Sequence, residues 1–192
     1  MDPQRRPTPY EPTYKPTPYK PTPYKPTLSK PTLYNAGAVA LVIALDQLTK
    51  WVVRGRFELY DSLEIIPGFF QLTRVHNYGA AFGMLNSAGL PYQAALLTAV
   101  RIVALAGLAW FSATVPAHHW LARAGLSLVL GGAAGNLVDG LTLGYVVDFF
   151  DFYWRGWHFW AFNVADASIT VGMALIILDQ IGVGRHRVPE AV

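Results

Sequence analysis

Apolar and polar residues alternate along this chain in long blocks. Four apolar runs stand out, from Tyr34 to Val53, Tyr92 to Ala113, Trp120 to Leu141 and Phe162 to Ile181. Each is near the roughly 20 residues that a bilayer core requires. Gly, Ala and Ser recur within each run, as tight helix packing in lipid prefers. The pattern predicts an all-α membrane protein with four transmembrane helices. Arg101, in the second run, breaks the pattern. Either it snorkels towards an interface, or that helix begins later than drawn.

The segments between the runs differ in character. Residues 1–33 are a Pro/Thr/Tyr/Lys repeat whose unit, PTPYK, recurs at Pro16–Lys20 and Pro21–Lys25. Prolines at this density remove backbone donors and fix φ, so an extended or disordered leader is expected. It lacks the apolar core of a cleavable signal peptide, and its basic character suits contact with anionic membrane lipids. The stretch from Arg54 to Pro91 mixes β-branched and aromatic residues with Gly/Pro punctuation, which reads as short strands on the membrane surface. Thr142–Ala161 is crowded with aromatics (Phe149, Phe150, Phe152, Trp154, Trp157, Trp160 among them), as residues at headgroup level are. The expected division is a leader over 1–33, a membrane domain over 34–184 and a short basic tail over 185–192.

Charge orients the chain. The leader, the connection holding Arg123, and the tail carry nine Lys/Arg against five in the two longer loops. Excess Lys/Arg marks the cytoplasmic side, so both termini are expected there, in a multi-pass protein.

Composition narrows the function. At 192 residues, 53% of them hydrophobic, with mean hydropathy +0.28, there is room for one membrane domain beside a tail. Cysteine is absent, which excludes disulfides, thiolate nucleophiles and Cys-ligated metals. The five histidines show no metal-ligand spacing, and no metal or cofactor is expected. No basic face with interleaved aromatics points to nucleic acid.

Carboxylates then become conspicuous. Asp139, Asp148, Asp151 and Asp166 crowd the most hydrophobic half of the chain. Each acidic group within hydrocarbon costs about 2.5–3.5 kcal/mol on insertion scales, and such groups usually mark function. Four antiparallel spans bring the ends of the first and third helices (Asp46, Gln47, Thr49, Lys50; Asn136, Asp139) beside the start of the fourth (Asn163, Asp166). Asp148 and Asn77 lie in loops on the same side, predicted to be the outer leaflet, and nothing comparable decorates the cytoplasmic ends. Asp166 is expected about four residues, roughly 6 Å, inside its helix.

Asp148 and Asp166 are the candidate catalytic pair. Two neighbouring carboxylates cannot both ionise easily, so one stays protonated near neutral pH. The ionised partner takes a proton from water, which attacks a peptide carbonyl; the protonated partner polarises that carbonyl and later protonates the leaving nitrogen. Each Asp can equally cap a helix or pair with a base. Asn136 and Asn163 can bond free backbone groups at helix ends or hold a substrate's main chain. Asp139 reads chiefly as structural. Asn77-Tyr78-Gly79 with Phe82-Gly83 reads as a turn, Gly79 and Gly83 permitting φ > 0 or close approach to a ligand backbone. Lys50 is expected to snorkel, with a salt bridge to Asp46 as the alternative; Asp151 and Asp179 are expected to be solvated or interfacial.

Other proteolytic chemistries lack their residues. The one lysine beyond the leader is Lys50, which disfavours a serine/lysine dyad, and the rhomboid-type GxSG and presenilin-type GxGD motifs are missing. A proton-conducting transporter is the competing class, but a relay would spread ionisable groups through the membrane's depth, and here they gather at one face. A structural bundle with incidental polar caps is a third reading.

Five elements in order, Asp46-Gln47-Leu48-Thr49-Lys50, Asn77–Gly83, Gly135-Asn136-Leu137-Val138-Asp139, Val146-Val147-Asp148-Phe149 and Phe162-Asn163-Val164-Ala165-Asp166, resemble lipoprotein signal peptidase (signal peptidase II). The resemblance spans Asp46 to about Thr170. It implies a four-helix membrane aspartyl protease of a bacterial inner membrane, with a periplasm-facing β-cradle, that cleaves diacylglyceryl-modified prolipoproteins before the lipidated cysteine; a monomer is expected. It places the catalytic pair at Asp148 and Asp166, and substrate or site support at Lys50, Asn77, Gly79, Asn136, Asp139 and Asn163. One departure stands out. The family usually has Arg after the residue matching Asp139, and here Gly140 follows, so a guanidinium is either absent or supplied elsewhere, with Arg74 and Arg155 as candidates. Cleavage is expected to proceed at an unchanged rate in EDTA; loss of turnover reversed by a divalent cation would overturn the metal-free reading.

Overall fold

The computed structural model describes residues 30–78 and 93–183. The repeat over 1–29, the turn holding Gly79 and Gly83, and the tail from 184 lie outside them. Helix α1 runs Lys30–Arg56, α2 Gln93–Thr114, α3 Trp120–Thr142 and α4 Val164–Gln180. The first helix starts four residues before the expected Tyr34. Pro31 falls in its first turn, where no intrahelical N–H bond is required. With α2 starting at Gln93, Arg101 stands well inside the helix, which rules out the later start. Tyr34–Arg56, Ala95–Thr114 and Trp120–Thr142 are long and apolar enough to cross a membrane; α4, at 17 residues, is shorter.

Helix α3 is the hub, packing on α1, α2 and α4. Its glycines explain how. A Cβ on Gly125 would lie 2.5 Å from the Gly172 carbonyl oxygen of α4, and one on Gly132 would collide with the Ala165 carbonyl. On the α1 side, a Cβ on Gly131 would meet the Val42 side chain at 2.7 Å. Without side chains at these positions the backbones approach closely, the means by which helices associate where lipid removes any hydrophobic drive. The outward faces keep large apolar residues exposed, Leu41, Trp51, Val103, Trp110 and Ile177 among them, as lipid contact requires.

Four antiparallel strands in the order β1 (Ser62–Ile66), β2 (Phe70–Asn77), β3 (Val146–Trp154) and β4 (Trp157–His158) form one sheet. The first two strands were legible in the sequence. The other two were not, because β3 is buried on both faces along Val146–Phe149 and shows no period-two alternation. An irregularity between Leu72 and Val75 sets Val75 opposite Asp148 and Asn77 opposite Val146, which puts Asn77 diagonal to Asp148 on the same face. Val53, Val147 and Phe149, ringed by Phe57, Leu72, Tyr145 and Val164, fasten the sheet to the ends of the helices. Trp154, Trp157 and Trp160 at the far tip are exposed, in keeping with an interfacial belt.

Two expectations need correction. Asp151 is buried and accepts bonds from Gln71 Nε2 (2.7 Å) and pairs with His158 Nδ1 (2.8 Å). Asp179 is also buried, 2.8 Å from His119 Nδ1 at the opposite end of the bundle, so polar pairing is not confined to one end. Both carboxylates have a partner across the fold that sequence position does not reveal.

The close crossing of α3 and α4 has a direct test. Gly125→Val is expected to cost about 1–3 kcal/mol by overpacking and to lower the melting temperature in detergent. Gly107→Ala, where an added Cβ meets nothing within 4 Å, should leave the melting temperature unchanged or raise it. Equal melting temperatures for Gly125→Val and the parent protein would refute the crossing.

Candidate active site

The site begins at a lysine. The Lys50 side chain is buried rather than snorkelling, 1% exposed. Its ammonium lies 2.8 Å from Asp46 Oδ2 and 3.1 Å from Asp139 Oδ2, and donates to Asn136 Oδ1 at 2.9 Å. Three donors meet three acceptors. Asp46 and Lys50 are one helical turn apart on α1, so the local pairing follows from i,i+4 spacing. The same two carboxylates also reach other elements. Asp46 Oδ1 accepts the Ala165 N–H of α4 (3.0 Å), and Asp139 Oδ2 accepts the Val147 N–H of β3 (3.0 Å). Gln47 Nε2 donates to Asp139 Oδ1 (2.9 Å) and to the Gly135 carbonyl (3.1 Å). Gly135 has to be glycine here, since a Cβ would sit 2.6 Å from Asp46 Oδ2.

The two candidate carboxylates stand on this platform. Asn163 is the N-cap of α4. Its side-chain oxygen accepts the Asp166 N–H (3.0 Å), while Asp166 Oδ2 accepts the Asn163 N–H (3.3 Å), a reciprocal capping box. Asp166 is therefore in the first helical turn rather than a turn inside, because α4 starts at Val164 and not Phe162. The Asn163 Nδ2 group donates to Asp148 Oδ1 at 2.7 Å and faces Asn136 Oδ1 at 3.2 Å. Asn136 Nδ2 donates to Asp166 Oδ1 at 2.8 Å, and Asn77 Nδ2 to Asp148 Oδ2 at 3.0 Å. Two asparagines thus span the gap between the carboxylates, and a third holds the far side of Asp148.

The environments of the two acids differ. Asp148 is 2% exposed, whereas Asp166 is half-buried. Burial, and next the neighbouring charge of Asp166, push the Asp148 carboxyl up to about 7; bonds from Asn77 and Asn163 and the charge of Lys50 oppose the rise only in part. Such a pair can hold one proton at neutral pH, with one acid withdrawn from solvent and the other reachable.

Lys50, Asn77, Asn136, Asp139, Asp148, Asn163 and Asp166 all converge, while Gly79 lies outside the described residues. The sequence reading placed Asp46 and Gln47 among the converging polar groups but gave them no role in the site, and held the Lys50–Asp46 salt bridge only as the alternative to snorkelling. Neither arginine that it named lies against Gly140. Arg74 donates to the Phe57 carbonyl (2.9 Å), and Arg155 lies over the Trp154 ring. The guanidinium over Gly140 is that of Arg101, from α2. Among the described residues no group of three or more His, Asp or Glu side chains is arranged to hold a metal ion.

The same arrangement of elements occurs elsewhere. The family model for signal peptidase (SPase) II matches residues 38–182. A lipoprotein signal peptidase of Symbiobacterium thermophilum is 45% identical over 145 residues, covering 76% of this chain and 92% of that one. One from Shewanella halifaxensis is 47% identical over 147 residues, covering 77% and 85%. A solved bacterial membrane enzyme superposes with a TM-score of 0.69 at 31% identity, covering 78% of this chain and 94% of its own. Extending over both the helices and the sheet that carry the site, these likenesses show that the chain is an integral membrane protein belonging to the signal peptidase II family.

Proposed function

We propose that this protein is a membrane aspartyl endopeptidase. It removes the signal peptide from diacylglyceryl-modified prolipoproteins, cutting before the lipidated cysteine. One observation carries the mechanism: Asp148 and Asp166 face a common Asn136–Asn163 bridge, one acid buried and the other half-open. In this reading α4 is a fourth span, its 17 residues rising roughly 25 Å at 1.5 Å per residue against a core of about 30 Å. Both termini face the cytoplasm, the sheet and the acids face the outer leaflet, and the monomer is the working unit. A substrate held in the bilayer by a signal helix and acyl chains carries its scissile bond to that depth.

The reaction balances on the two acids alone. Asp166, reachable from solvent, takes a proton from water as the water oxygen bonds to the scissile carbonyl carbon. Asp148 gives its proton to the carbonyl oxygen, which leaves a neutral tetrahedral diol. On collapse the proton now on Asp166 passes to the leaving nitrogen, and Asp148 recovers one from the diol hydroxyl. The C–N bond breaks, releasing a carboxyl terminus and the amine of the lipidated cysteine. Both acids return to their starting states. Asn77 and Asn163 hold Asp148, and Asn136 orients Asp166. The ammonium of Lys50 holds Asn136 in turn.

Asp148→Asn and Asp166→Asn are each expected to lower cleavage by at least roughly 10²–10⁴-fold while melting as the parent protein does. A gel-shift assay on a diacylglyceryl-modified prolipoprotein, with the unlipidated precursor as control, reads this out. Retained turnover in either variant sinks the assignment. Failure of the folded parent protein to cleave would favour a proton carrier, and proton flux in liposomes would then decide.

The raised Asp148 carboxyl also sets a pH dependence. Its proton is the one needed by the scissile carbonyl, so the single-turnover rate should hold below neutrality and fall as pH rises through about 7. A rate that climbs across that interval would refute Asp148 as the acid.

A further inference from the structure

Beside this site stands a cation that has no counter-charge among the described residues. Arg101 lies in the interior of α2, whose candidate span has a mean hydropathy of 1.8. A charge in such a segment ordinarily faces a protein interior and pairs there. Among the described residues Arg101 has neither a hydrogen bond nor an ion pair. Its position is nonetheless defined. A Cβ built on Gly140 would meet Arg101 Nη1 at 2.7 Å and no atom beyond that guanidinium within 4 Å. The guanidinium therefore occupies space on α3 that any side chain at position 140 would contest.

The same arginine lines a groove of about 340 Å³ between α2 and α3, closed below by Ile169 of α4. Leu105, Leu108 and Val129 make its walls apolar, and its polar lining is Arg101 and Asn136. Asn136 donates to Asp166, so the groove shares a lining residue with the carboxylate site. An extended substrate segment in such a groove brings carbonyl oxygens into a low-dielectric space where each needs a donor. A guanidinium offers up to five N–H donors in a fixed fork.

We propose that Arg101 is a substrate-binding residue, its guanidinium lying over Gly140 to donate to carbonyl oxygens of the substrate in the α2–α3 groove. This rests on the peptidase reading above. The carbonyls belong to the peptide main chain next to the cut or to the acyl esters of its lipid, and the two sources can be told apart. Arg101 acts on binding and leaves proton transfer to the acids. Removing it should therefore raise KM and spare kcat.

The test is steady-state cleavage of a diacylglyceryl-modified prolipoprotein in mixed micelles by the full-length protein and by Arg101→Ala, Arg101→Lys and Arg101→Ala/Gly140→Arg, with Asp166→Asn as the inactive control. Arg101→Ala is expected to raise KM by roughly 10-fold or more, as loss of a charged hydrogen bond does, with kcat within about 2-fold. Arg101→Lys should fall between, since an ammonium lacks the planar fork. The double variant, returning a guanidinium from α3, should recover much of the loss, an effect that a purely structural role for Arg101 would not produce. A dialkyl ether-linked substrate separates the sources: if the Arg101→Ala penalty disappears on it, the ester carbonyls are the partners, and if it persists, the peptide carbonyls are. An unchanged KM in Arg101→Ala, or a loss confined to kcat, overturns the proposal while the parent protein's cleavage upholds the peptidase. No cleavage by the parent protein overturns both.

Discussion

The buried ammonium of Lys50 organises everything around it. Taking an isolated charge out of water costs several kcal/mol even after relaxation, and only good geometry with further hydrogen bonds repays it. Here the compensation comes from three residues on two helices. Asp46 shares helix α1 with Lys50, while Asp139 and Asn136 come from α3. Asp46 also fixes the start of α4 through the Ala165 N–H, and Asp139 the start of β3 through the Val147 N–H. Each acid thereby holds two neighbours, and removal of Lys50 would leave both buried carboxylates without their counter-charge. The network sits at one end of the bundle and acts as its clamp.

That clamp also positions the two candidate carboxylates. Asp166 is the third residue of α4 and is tied by the capping box to Asn163. Asp148 follows Val147, the residue whose N–H bonds Asp139. The two acids are thus one residue from backbone groups that the buried cluster anchors, Val147 on one side and Ala165 on the other. Asn136 completes the link, accepting from Lys50 and donating to Asp166. Electrostatic consequences follow directly. The sheet that covers Asp148 withdraws it from water and, with the charge of Asp166 nearby, favours its neutral form, whereas Asp166 stays accessible at the mouth of its helix.

Glycine has the complementary role. At Gly125 and Gly132 its missing side chain lets α3 and α4 touch backbone to backbone, and at Gly135 it admits the Asp46 carboxylate. At Gly140 the vacancy admits the guanidinium of another helix instead. The positions lie on different faces of α3, which is how one helix contacts the other three.

The helices were legible in the sequence because apolar runs of bilayer length have few alternative fates, and their expected and observed limits differ by only a few residues at most ends. The acids too were legible: Asp148 and Asp166 are conspicuous where charge is costly. The strands of the second loop were hidden, since a segment buried on both faces loses the alternation that marks a strand. Lys50 looked like a snorkelling residue because its two distant partners, Asp139 and Asn136, lie more than 80 residues away. Asp151 and Asp179 looked solvated because Gln71 and His119 lie 80 and 60 residues from them. Sequence alone therefore determined which segments are apolar and helical and which polar residues stand out as candidates for chemistry, since both follow from local polarity. Only the tertiary structure decided which charges are paired, which carboxylate is withdrawn from water and which arginine overhangs the site, because those depend on partners that the chain brings together only by folding.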